Sequence, residues 1–154
     1  MAIFVAWIGP DLLWPGLRQH WLFHNLITSP AHPTLPPEAR TSPYFLFFRI
    51  TGSALVVPVV EELFWRGWLM RWLIAHNFKN VPLGAYSPAA FWVTALLFAT
   101  EHGAYWDVGL LAGIAYNALL IRTRNLADCI LAHAVTNGCL AWHVLAAGQW
   151  QYWA

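Results

Sequence analysis

Three polar clusters interrupt otherwise apolar runs of this chain, and their residue types are those that activate water. In the first, Glu61-Glu62-Leu63-Phe64-Trp65-Arg66, two adjacent carboxylates precede a guanidinium. Glu62 and Arg66 stand four apart with the glutamate first, the favourable order for an ion pair on one helix face. Glu61 points about 100° away around the same helix, so Arg66 cannot easily serve both. A carboxylate without a partner in an apolar setting suits general-base work. In the second cluster, Phe98-Ala99-Thr100-Glu101-His102, an imidazole ends an apolar run one turn beyond Phe98. In the third, His133-Ala134-Val135-Thr136-Asn137, the imidazole and the amide project from one helix face. Imidazole serves as acid, base or metal ligand. An asparagine amide donates to a developing oxyanion or orients a histidine.

Each cluster also has a purely structural reading. Glu62 and Arg66 would pin helix packing, Glu101 and His102 would be a solvated helix end and an interfacial histidine, and His133 with Asn137 would clamp two helices. Glu61 fits that reading worst, because an ionisable group at mid-bilayer costs at least about 2.5 kcal/mol. Together the clusters supply carboxylates, two imidazoles and an amide, the parts for activating a water and stabilising a tetrahedral oxyanion. No such role falls to His143, Asn117 and Asp128, or to His20, His24, His32 and His76 in loops.

These residues need elements to carry them, and the composition says which kind. Of 154 residues, 59% are hydrophobic and only 10% charged, against about 25% charged in a soluble domain. Eleven tryptophans gather near segment ends, as at bilayer interfaces. The expectation is an all-α polytopic bundle of about four to five membrane helices in one domain over 1–154. A net charge of +1 with a single lysine, Lys79, argues against a nucleic-acid partner. Cys129 and Cys139 share one apolar segment and predict no disulfide. MAIFVAWIGP has no basic n-region, so no cleavable signal peptide is expected.

Residues 1–14 are apolar but shorter than the roughly 20 a spanning helix needs. Residues 15–43 are a proline-rich loop (Pro30, Pro33, Pro36, Pro37, Pro43), with an interfacial helix near QHWLFHNLI. Residues 44–75 are a long helix, with a tilt or a break near Gly52 or Pro58. After a 76–88 loop come helices over 89–102, 106–121 and 126–147, with a basic turn at 122–125. Gly109, Ala112, Gly113 and Ala115 allow close helix contact. The 76–88 and 122–125 loops share a side, and their basic residues place that side in the cytoplasm. Single straight crossings leave His102 and His133 toward opposite ends, so a broken 44–75 helix or a tilted 89–102 segment must reconcile them.

At these residues the sequence resembles the CPBP intramembrane endopeptidases, the family of CAAX-processing and bacteriocin-processing (Abi) proteases, over about 44–147. The family pattern EExxxR, FxxxH and HxxxN, on successive helices, reads here as Glu61-Glu62 with Arg66, Phe98 with His102, and His133 with Asn137. The flanking text PVVEELFWRG, LFATEH and LAHAVTN is most similar to the bacterial branch labelled CAAX prenyl protease-related. The resemblance implies Glu61 as the water-activating glutamate, Glu62 as its companion braced by Arg66, His102 sharing the water, and His133 with Asn137 at the oxyanion. It implies a membrane-associated protein or peptide substrate and a bacterial inner-membrane location. A zinc site drawing on Glu61 or Glu62, His102 and His133 and a metal-free site both fit the motifs. The family's additional helices before the first motif imply a longer start, or helices from another chain or a second copy. Two other readings compete: a non-catalytic scaffold or immunity-type protein on the same fold, and a haem subunit using His102, His133 or His143.

Overall fold

A computed structural model describes residues 2–25, 28 and 35–153. His32, Pro30, Pro33 and the last two residues of QHWLFHNLI lie outside the described residues. The described part of that stretch is a short 3-10 turn followed by bends, not a helix. Its apolar residues pack singly: Phe23 stacks on Trp106 at 5.7 Å, and Trp106 Nε1 donates to the Leu22 carbonyl.

Six helices follow one another, and no strand occurs among the described residues. They are α1 (Ala2–Leu13), the short α2 (Pro37–Thr41), α3 (Pro43–Trp72), α4 (Pro88–Thr100), α5 (Trp106–Thr123) and α6 (Leu126–Ala147). By length and composition three can cross a membrane: α3, α5 with the turn before it (Gly103–Thr123), and α6. Helices α1 and α4 are apolar but shorter. The chain is a helical membrane protein, and the outer face of α3 shows it. Leu55, Val56, Val60, Leu63 and Phe64 are exposed there, a surface that lipid rather than water can solvate.

Local chemistry sets the ends. The Ser42 hydroxyl accepts from the Phe45 amide at the start of α3, and Pro43 and Pro88 begin α3 and α4 where no amide is needed. Helix α5 runs two residues beyond its expected end and stops where Arg124 turns left-handed (φ 55°). Asn125 caps α6, its side chain accepting from the Ala127 amide, and Gly148 (φ 67°) ends it.

Helix α3 does not break at Gly52 or Pro58; it widens. Residues Gly52–Val56 and Leu63–Leu69 are π-helical. Pro58 has no amide for the Ala54 carbonyl, and the first wide turn lies just before it. The second contains Arg66. Helix α4 packs closely on α5 because Gly113 faces the Ala95 backbone, where a Cβ would lie 3.1 Å from Ala95 Cα. Gly84 (φ 77°) lets the 76–88 loop lie against the end of α5, where a Cβ would meet the Leu120 carbonyl at 2.7 Å. Those two loops therefore share one side, as expected. Around Phe98 lies a core of Trp65, Leu69, Ala112 and Tyr116.

Candidate active site

The shortness of α4 solves the depth problem left by straight crossings. At 1.5 Å per residue it falls about 10 Å short of a roughly 30 Å core. His102 follows the end of this short helix, Glu61 and Asn137 lie near the middle of α3 and α6, and His133 lies nearer the start of α6. They meet in one cavity of about 490 Å³, whose walls include Glu61, Glu101, His102, His133 and Asn137. Glu101 is exposed, as a solvated helix end should be, yet it also lines this cavity.

Behind the cavity sits a buried polar core built around Arg66, which is 0% exposed. Its Nη1 donates to Glu62 Oε1 at 3.1 Å, its Nε to Asn117 Oδ1 at 3.0 Å and its Nη2 to the Gly113 carbonyl at 3.3 Å. Its Cζ lies 4.4 Å from the Phe98 ring centre, a cation–π contact. Asn117 passes the grip onward by donating to the Phe91 carbonyl. Glu62 is equally buried and does not line the cavity. It reaches the cavity through His133, whose Nδ1 lies 2.9 Å from the Glu62 oxygen that Arg66 also uses. Glu61 lines the cavity itself, and its Oε2, like the second oxygen of Glu62, is buried without a hydrogen-bond partner.

Both imidazoles are oriented through Nδ1. His102 Nδ1 donates to the Phe98 carbonyl at 2.7 Å. A carbonyl only accepts, so Nδ1 carries the proton and a neutral His102 presents a bare Nε2. Phe98 and Trp7 flank that ring at 4.7 and 5.5 Å. His133 donates Nδ1–H to the Glu62 carboxylate, and Tyr116 stacks on it at 5.1 Å. The Tyr116 hydroxyl bonds Thr136, which fixes the stack from below. Asn137 spends one amide hydrogen on the Ser53 carbonyl at 2.8 Å, within the first wide turn of α3. Its second hydrogen remains for a ligand.

Some participants were silent in the sequence. Trp7 comes from α1, packed on α5 and α6, and no motif marks it. Ser53 acts through its main chain, which carries no sequence signal. Gly109 was visible only as a small residue. A Cβ there would meet His102 Cγ and Nδ1 at 2.8 Å, so the glycine makes the seat of the imidazole. Gly109→Ala is therefore expected to push the ring off the Phe98 carbonyl. Cleavage should fall at least tenfold with little change in thermal midpoint, and unchanged turnover would show that this seat is unimportant.

Among the described residues, no three His, Cys, Asp or Glu side chains are gathered as a metal-holding group. Of the zinc set, Glu62 sits behind His133 rather than beside it, while Glu61, His102 and His133 line the same cavity. His143 lies against Phe4 and Tyr152, outside the cavity wall.

Fold and site thus define a polytopic helical membrane protein with carboxylates and imidazoles around one internal cavity. A family model described as Type II CAAX prenyl endopeptidase Rce1-like matches residues 43–139, which include all three motifs. The chain belongs to that family of membrane proteases. No curated protein and no solved structure matches it.

Proposed function

We propose that the chain is an intramembrane endopeptidase that hydrolyses a peptide bond of a membrane-associated protein or peptide, as one peptidase domain in a bacterial inner membrane. The observation that supports this reading is the single cavity where an unpartnered Glu61 oxygen meets two imidazoles with unspent Nε2 atoms. A water there donates one hydrogen to Glu61 and the other to His102 Nε2. Its oxygen attacks the substrate carbonyl carbon as the proton passes to Glu61. The carbonyl oxygen becomes an oxyanion, held by the second N–H of Asn137 and by Nε2–H of His133. His133 must then carry protons on both nitrogens, and the Glu62 carboxylate, accepting from Nδ1, balances that charge. The C–N bond breaks as Glu61 returns its proton to the leaving nitrogen, giving an amine and a new carboxylic acid that keeps the second water hydrogen.

In this reaction Glu62 is a positioning residue rather than a second base, and Arg66, Asn117 and Phe98 hold it and the imidazoles in place. The reaction needs no metal. Detergent-purified protein is expected to hold far less than one zinc per chain and to keep its activity after chelation. About one zinc per chain, lost in both His102→Ala and His133→Ala, would replace this scheme with a metallopeptidase.

A further inference from the structure

The cavity carries a cation that the hydrolytic scheme does not use. Arg49, Ser53, Val57 and Glu61 all line it, spaced by four along α3. In a regular helix each step of four overshoots a turn by about 40°, so Glu61 would sit about 120° from Arg49. The wide turn at Gly52–Val56 counters that drift and keeps them on one wall. That wall thus has a guanidinium at one end and an unpartnered carboxylate at the other. Arg49 is exposed and is the one Lys or Arg among the cavity's described lining residues.

This chain already shows what Arg49 takes. Its Nη2 donates to the backbone carbonyl of Trp153 at 3.2 Å, and its Cζ lies 5.7 Å from the Trp153 ring. Trp153, with Gln151 and Tyr152, is itself part of the cavity wall. A peptide main-chain oxygen at the cavity is therefore the group that Arg49 holds here. Its remaining N–H donors suit either a carbonyl or, bidentately, a carboxylate.

We infer that Arg49 is a substrate-anchoring residue, binding a backbone oxygen of the peptide in exchange for the Trp153 carbonyl; the inference rests on the peptidase reading above. The twelve residues from Arg49 to Glu61 span about 18 Å of helix. An extended peptide covers that distance in about five residues. A peptide anchored at Arg49 thus offers Glu61 a bond about five residues from the anchored oxygen.

The test reads binding without cleavage. The Glu61→Gln protein in detergent is titrated into fluorescein-labelled decapeptide pools made as free acids and as amides, and anisotropy is followed. Adding Arg49→Gln is expected to weaken binding at least tenfold with the thermal midpoint retained, and Arg49→Lys to restore part of it. A loss confined to the free acids assigns the oxygen to a terminal carboxylate; an equal loss in both pools assigns it to an internal carbonyl. Undiminished binding by Arg49→Gln, or no binding of either pool to the Glu61→Gln protein, overturns the inference. Arg49-dependent binding by a wild-type chain that never cuts would instead leave the anchor standing and remove the peptidase reading.

Discussion

Glu61→Gln is expected to lower peptide cleavage about 10³-fold, the range lost with a general base, while the protein still folds. The buried Oε2 of Glu61 bonds nothing, so an amide in its place breaks no contact there. The substitution keeps the shape of the side chain and removes the group that takes the proton from water. Its neighbour should behave differently. Glu62 accepts from both Arg66 and His133 through one oxygen, so Glu62→Gln weakens two bonds inside the buried core. Thermal midpoints and initial rates of the two variants, measured side by side, separate catalysis from packing. A non-catalytic scaffold would show the reverse for Glu61: a changed midpoint and no rate to lose.

Arg66→Met is expected to be the most damaging single change to the fold. It leaves Glu62 fully buried with no cation beside it, strips donors from Asn117 and the Gly113 carbonyl, and removes the charge lying on Phe98. Stranding one partner of a buried ion pair costs about 3–5 kcal/mol. Such a loss consumes much of a typical domain's stability, and the variant should aggregate on extraction or melt far below wild type. The double change Arg66→Met with Glu62→Leu replaces the pair by apolar volume, so stability should return. Activity should not, because His133 Nδ1 then has no acceptor. A double variant that remains unstable would show that the pair does more than neutralise itself.

The sequence was informative where chemistry is local. Glu62 and Arg66 pair as their spacing of four requires, and α6 spans the expected 126–147. The long apolar blocks became helices because a chain with so few charges can satisfy its backbone in lipid only internally. What stayed hidden depends on distant parts. The bond from His133 to Glu62 joins residues 71 apart, and nothing in HxxxN names its partner. Likewise, the seat of His102 is a carbonyl, a glycine and a tryptophan from three different helices. The first wide turn of α3 was legible only as a proline and a glycine, though it sets which side chains share the cavity wall. QHWLFHNLI misled because its apolar residues fill separate contacts rather than one helix face.

The most direct test of the central claim, that Glu61, His102 and His133 form one hydrolytic centre, is peptide cleavage in water enriched in ¹⁸O. Wild-type protein in lipid vesicles and its Glu61→Gln and His133→Ala variants are each given the same peptide pool, and products are read by mass spectrometry. The account predicts wild-type products whose new carboxylates carry ¹⁸O, and none from either folded variant. Cleavage that persists in Glu61→Gln, or a wild-type chain that cuts nothing, would contradict it.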